Sequence, residues 1–96
     1  MFPADQEMEL ALLHTLVELG GEATTQRVYN LLTEKFPQLT ENELHKKLPS
    51  GNKKWWKKIQ FVKNKLDLVG EIENPQFGVW RITEKGCLRL WTPQKG

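Results

Sequence analysis

The stretch KKWWKKIQFVKNKLDLVGEIENPQFGVWRI, residues 53–82, decides the fold. In its first half the apolar residues Trp55, Ile59, Val62, Leu66 and Val69 recur at spacings of four, three, four and three. That period draws a single stripe along an α-helix. The helix is predicted from Lys53 or Lys54 to Leu68, with Gly70 closing it. After Gly70 the period drops to two. Ile72 stands between Glu71 and Glu73, and Val79-Trp80-Arg81-Ile82 alternates with Trp80 and Ile82 on one face. Asn74-Pro75-Gln76-Phe77-Gly78 between them is a run of turn-forming residues, so a β-hairpin with a loop of about five residues is predicted.

Upstream, Met8, Leu12, Leu13, Leu16 and Leu19 form the stripe of a first helix, from about Asp5 to Leu19, stopped by Gly20-Gly21. Glu22-Ala23 reads as a short extended piece that leaves Thr24 or Thr25 to cap a second helix. Val28, Leu31, Leu32 and Phe36 carry the second stripe, and Pro37 ends it. Thr40 followed by Glu43 is a capping box, which opens a short third helix to about Leu48. Thr83 to Leu90 supplies a last helical turn, and residues 92–96 read as a linker stub. The order is helix, short strand, helix, short helix, lysine-rich helix, hairpin. That is a mainly α chain with a small β-hairpin: a winged helix-turn-helix in one domain, residues 1–91, with an extra helical turn in the middle.

The length of 96 residues suits one domain with a thin core. No apolar run approaches the ~20 residues of a bilayer span, and Met1-Phe2-Pro3-Ala4-Asp5-Gln6-Glu7 lacks the pattern of a secretory signal. A lone cysteine, Cys87, excludes an internal disulfide framework and a Cys-rich zinc site. With only two histidines, His14 and His45, no metal and no cofactor is expected. The net charge of +2 hides its distribution. Residues 1–44 hold eight acids against two bases; residues 45–65 hold eight lysines and no acid; residues 66–96 balance at four and four. A basic block on an otherwise acidic chain is the footprint of a polyanion-binding surface.

At about 100° per residue, the core stripe of the lysine-rich helix 53–68 determines what points outward. Lys57 and Asn64 lie opposite the stripe, flanked by Lys53, Lys54, Gln60 and Phe61; Lys58, Lys63 and Lys65 lie on the sides. Lysines neutralise phosphates without sequence preference, and amides pair with base edges. Double-stranded DNA is therefore the expected partner. Lys53, Lys54, Lys57 and Gln60 form the centre of contact and Asn64 lies further out. Trp56 falls near the edge of the stripe, as a cap on the core or a surface against a base. Gln76 and Phe77 mark the tip of the wing, and Arg81 faces outward on its strand, where it can meet a phosphate. Thr25, at the start of the second helix, and Ser50 and Asn52, before the basic helix, offer hydroxyl, amide and backbone donors to a phosphate. Catalytic readings find little. No Glu-x-Lys occurs for a metal-dependent nuclease, His14 has no acid–base partner, and no glycine-rich phosphate loop is present.

Three segments resemble a known family. Leu19-Gly20-Gly21-Glu22-Ala23-Thr24-Thr25, Leu48-Pro49-Ser50-Gly51 and Gly78-Val79-Trp80-Arg81-Ile82-Thr83-Glu84-Lys85-Gly86 resemble the N-terminal domain of Mrr-type restriction endonucleases. The likeness extends from about Glu9 to Leu90. It implies a winged-helix domain that recognises DNA in prokaryotic defence, often modified DNA, ahead of a separate nuclease domain. Residues 92–96 would then lead toward that absent effector, and the segment itself would not cleave. The family's helix is arginine-rich with an aromatic in its middle. Here lysine dominates and two tryptophans open the helix, so target preference is not carried over.

The expected function is target recognition on double-stranded DNA by a monomeric domain in the cytoplasm. If the domain reads cytosine methylation, it is expected to do so in the major groove, with Trp56, Phe61 and Phe77 as the apolar partners for a methyl group. A domain this compact is not expected to hold the aromatic pocket that base flipping needs. The alternatives are a protein-interaction winged-helix module and a small transcription regulator.

Overall fold

The computed structural model describes residues 3–45 and 53–91. Helix α1 is Asp5–Glu18, strand β1 Glu22–Thr24, helix α2 Thr25–Glu34 and helix α3 Glu41–His45. Helix α4 is Lys54–Leu68, β2 is Ile72–Gln76, β3 is Val79–Ile82, and α5 is Glu84–Trp91. The end of the third helix, expected near Leu48, lies outside the described residues, as do Ser50, Asn52 and the stub 92–96.

Local chemistry explains most boundaries. Gly20 and Gly21 adopt φ of +93° and +102°, which end α1 in a conformation that side chains resist. Thr24 caps α2, its hydroxyl accepting the Arg27 amide at 3.4 Å. The capping box is reciprocal: the Glu43 amide donates to Thr40 Oγ1 at 3.1 Å, and the Thr40 amide donates to Glu43 Oε1 at 3.0 Å.

Three strands form the sheet, the short piece before α2 joining the hairpin. It is antiparallel in the order β1-β3-β2, with Ala23 opposite Trp80 and Ile72 opposite Ile82. The short piece predicted before α2 is thus an edge strand. The hairpin is also tighter than predicted. Gln76 pairs with Val79, which leaves Phe77-Gly78 as the turn, and the register shifts between Glu73 and Gln76. Pro75, which has no amide to donate, sits in that irregular part of the edge strand. The last helical turn extends to the eight residues of α5. Its approach to the sheet requires Gly86, where a Cβ would stand 2.4 Å from the Glu71 carbonyl oxygen and 2.7 Å from Ile82 Cγ1.

The core joins Met8, Leu12, Leu13 and Leu16 of α1 to Val28 and Leu32 of α2, Trp55, Ile59, Val62 and Leu66 of α4, and Ile72, Trp80 and Ile82 of the sheet. Each fully buried leucine contributes roughly 1.5–3 kcal/mol. Trp55 is completely buried yet satisfied: its indole N–H donates to Thr33 Oγ1 at 2.9 Å. Phe36 meets it edge-on, with centroids 5.9 Å apart. Three stripe positions depart from expectation. Val69 is 48% exposed because α4 ends at Leu68, so Val69 turns away as its C-cap. Leu19, the C-cap of α1, and Leu31 are only half-buried. The result is a mostly helical, winged-helix-like domain in which α4 carries one face into the core and leaves the rest for other work.

Candidate nucleic-acid interface

Helix α4 presents three different surfaces around its buried stripe. On the outward surface, Lys53, Lys54, Lys57 and Asn64 are exposed, with Gln60 half-buried beside them. Among the described residues, Lys53 and Lys57 take part in no ion pair. These two cations stand exposed at the N-terminal end of α4.

The flank toward α1 is different. Lys58 pairs with Asp5, and Lys65 reaches Asp5 at 3.6 Å and Glu9 at 3.3 Å. The hydrogen bond from Lys58 holds the Asp5 carboxyl below the ordinary aspartate pKa. Glu9 also accepts from Arg89 of α5 at 2.7 Å, and Arg89 reaches Glu71 at 2.8 Å. The alternating series Lys58, Asp5, Lys65, Glu9, Arg89, Glu71 thus ties α4, α1, α5 and the approach to β2 together. Burial opposes the Arg89 charge, but the hydrogen bonds it donates to Glu71 and Glu9 outweigh it and raise its pKa. Phe61 stands 55% exposed on this flank, with the ammonium groups of Lys58 and Lys65 at 5.7 and 5.8 Å from its ring centroid. The lysines there are held by carboxylates and are not idle stems waiting for a backbone.

The flank toward the wing is an aromatic surface. Trp56 stacks on Trp80, with centroids 5.8 Å apart and planes 2° from parallel, and Tyr29 meets Trp56 edge-on at 5.6 Å. Between α4, the start of α2 and the wing lies an open hollow of about 630 Å³. Its lining is Thr25, Trp56, Gln60, Asn74, Gln76, Phe77, Gly78 and Trp80. This corrects the expectation that so small a domain has no aromatic-lined pocket. Two layers of secondary structure suffice because the wing folds over the side of α4. The Thr25 amide donates to the Gly78 carbonyl at 3.0 Å and pins the wing tip to α2. Lys63, expected on a side of the helix, is 7% exposed; it bonds Asp67 at 3.1 Å and lies 5.6 Å from the Trp80 ring centroid. Asn74 donates to the same Asp67 carboxylate at 3.1 Å, so α4 and β2 are fastened together.

Thr25, Trp56, Gln60, Gln76 and Phe77 are therefore brought together in one hollow, and Lys53, Lys54, Lys57 and Asn64 lie on the adjoining surface of α4. Arg81 lies apart from both. Its guanidinium reaches Glu73 at 2.6 Å and Glu22 at 3.4 Å, and the bond to Glu73 raises its pKa. It is an inter-strand clamp, with its charge already answered. Phe61 is on the opposite flank from the hollow. Sequence reasoning missed Asn74 and the second role of Trp80, because a turn residue and a core residue carry no mark of what closes against them.

Among the described residues no helix is long and apolar enough to cross a membrane, and no group of three or more His, Cys, Asp or Glu could hold a metal ion. Comparison with curated proteins and with solved structures returns no match. Residues 6–90 match the family model of the Mrr N-terminal domain, which covers every element of the site just described. The chain belongs to the Mrr N-terminal domain family, and through it is related to the Mrr restriction system.

Proposed function

We propose that this domain is a double-stranded DNA-binding module that recognises targets for a restriction endonuclease in the cytoplasm, with cleavage left to another domain. The observation that carries the reading is the outward surface of α4. Exposed Lys53, Lys54 and Lys57 occupy the half of the helix that enters the major groove in helix-turn-helix proteins. Gln60 and Asn64 follow on the same side, where amides can read base edges. The acids that would repel a phosphate backbone are drawn into ion pairs elsewhere: Asp5 and Glu9 against α1's neighbours, Glu22 and Glu73 against Arg81. Cytosine methylation is the modification proposed for recognition, and Trp56 and Phe77 are the apolar groups on the DNA-facing side able to meet a 5-methyl group.

A fluorescence-polarisation titration of a labelled duplex at two salt concentrations tests this. Three lysine–phosphate contacts give a log–log slope near −2.7, at about −0.9 per contact. Competition among otherwise identical duplexes carrying cytosine, 5-methylcytosine or 5-hydroxymethylcytosine then tests the modification. A preference of about fivefold for 5-methylcytosine is expected, since a methyl contact contributes about 1 kcal/mol by analogy with thymine. A second reading, a protein-interaction module, is favoured by the exposed apolar residues Leu68, Leu88 and Trp91, at 89%, 57% and 84% exposure. Absence of salt-sensitive duplex binding at micromolar protein selects it.

A further inference from the structure

We propose that the hollow between α4 and the wing receives a single base drawn out of the duplex, with Phe77 as the wedge that takes part in the opening. The inference rests on the DNA-binding reading above and adds where, and in what state, one base is held.

Three observations carry it. First, the lining has the chemistry of a nucleobase site. The stacked indoles of Trp56 and Trp80 supply aromatic, apolar wall, with Trp56 the more exposed of the two. Gln60, Asn74 and Gln76 offer amides, and Thr25 a hydroxyl. Among the described residues no charged side chain lines the hollow. Stacking on aromatic faces together with hydrogen bonding of the Watson–Crick edge is how an extruded base is held. A volume of about 630 Å³ falls within the range of small-molecule sites.

Second, the hollow lies in the right place. If α4 occupies the major groove and the wing lies over the neighbouring backbone, the space between them faces the strand that passes from one to the other. Gln60 joins the two regions, being next to the outward surface of α4 and also part of the lining. A base leaving the stack on that strand meets the hollow before it meets solvent.

Third, the walls are firm and the rim is not covered. The parallel Trp56–Trp80 stack is braced by Tyr29 on Trp56 and by the Lys63 ammonium near Trp80. The Lys63–Asp67–Asn74 network holds the wing's first strand against α4. Phe77, by contrast, is 105% exposed at the tip of the turn. An aromatic ring standing entirely in water has no packing reason to be there. Apolar wedges inserted at a base step unstack it, so the ring suits the gap that an extruded base leaves behind.

The test uses two labelled duplexes of the same 12-base-pair sequence, one matched and one with a single central C·A mismatch. Extrusion is cheapest for a mismatched base, so a protein that holds an extruded base prefers the mismatch. The wild-type domain is expected to bind the mismatched duplex about tenfold more tightly than the matched one. Phe77→Ala and Gln60→Ala are expected to cut that preference to below about twofold, read as the ratio of mismatched to matched affinity within each variant, so that any loss common to both duplexes cancels. Both positions are outside the buried core, and circular dichroism checks that the fold persists. Salt-sensitive binding of the matched duplex without any mismatch preference overturns this proposal and leaves the DNA-binding reading standing. A mismatch preference that survives in both variants also overturns it. Failure to bind either duplex overturns the DNA-binding reading, and this proposal with it.

Discussion

The two flanks of α4 are built from the same lysine-rich segment and end in opposite states. Toward α1, Lys58 and Lys65 are committed to Asp5 and Glu9. That flank is a seam between helices, and its charges serve the fold. Toward the wing, Trp56 and Gln60 open onto a hollow, and the outward Lys53 and Lys57 beside it carry no ion pair among the described residues. A lysine count therefore overstates the charge left for a partner. What matters is which acids the neighbouring elements bring within reach. The same holds on the wing, where Arg81 looks outward along the strand but is clamped between Glu22 and Glu73.

The comparison can be broken most forcefully at Arg89. Its side chain and those of Glu9 and Glu71 are 23%, 13% and 11% exposed, so Arg89→Met removes the cation that two largely buried carboxylates share and leaves Glu9 only Lys65. A loss on the order of 3 kcal/mol is expected, as for breaking a buried ion pair, read by urea denaturation. Duplex affinity of the folded fraction should be unchanged.

The next largest effect belongs to the outward surface. Lys53→Glu with Lys57→Glu should weaken duplex binding about a hundredfold, since two phosphate contacts become repulsions. Lys58→Gln with Lys65→Gln should weaken it less than about threefold, because those charges are already neutralised. Equal losses in the two double variants, measured by fluorescence polarisation, would erase the distinction between the flanks.

A smaller change sharpens it. Lys57→Gln should reduce the magnitude of the salt slope by about 0.9, and Lys65→Gln should leave the slope unaltered.

The smallest effect is in acid. Asp5 has a folded-state pKa below its unfolded value. Its stabilising contribution is therefore present above the unfolded pKa of about 3.9 and is lost as pH falls through the folded value. Asp5→Asn should lower the melting temperature near neutral pH, and the difference from wild type should close by about pH 2. A gap that persists unchanged in acid would mean that Asp5 acts through something other than its charge.

Most elements were legible in the sequence because they rest on local signals. The four-three spacing of Trp55, Ile59, Val62 and Leu66 names the buried side of α4 without knowledge of its partners. Thr40 and Glu43 cap α3 across three residues, and Gly20-Gly21 ends α1 by backbone conformation alone. The two-residue turn of the hairpin was not legible, since Pro75 signals a loop even where the strand continues past it. Of the candidate site, the outward lysines and amides followed directly from helical phase. The hollow did not. It exists because Thr25 and Gly78, 53 positions apart, share a hydrogen bond, and because Asn74 and Lys63 share one carboxylate.

What the sequence determined by itself is thus the helical phase of α4, the order of the elements and the presence of a basic block. All three depend on residues a few positions apart. Which lysines keep their charge for a partner, and whether the aromatics make a core or a cavity, only the tertiary structure decided. Charge neutralisation and enclosure act across space, between Asp5 and Lys58 or Trp56 and Trp80, and no local period encodes which distant segment will close against which face.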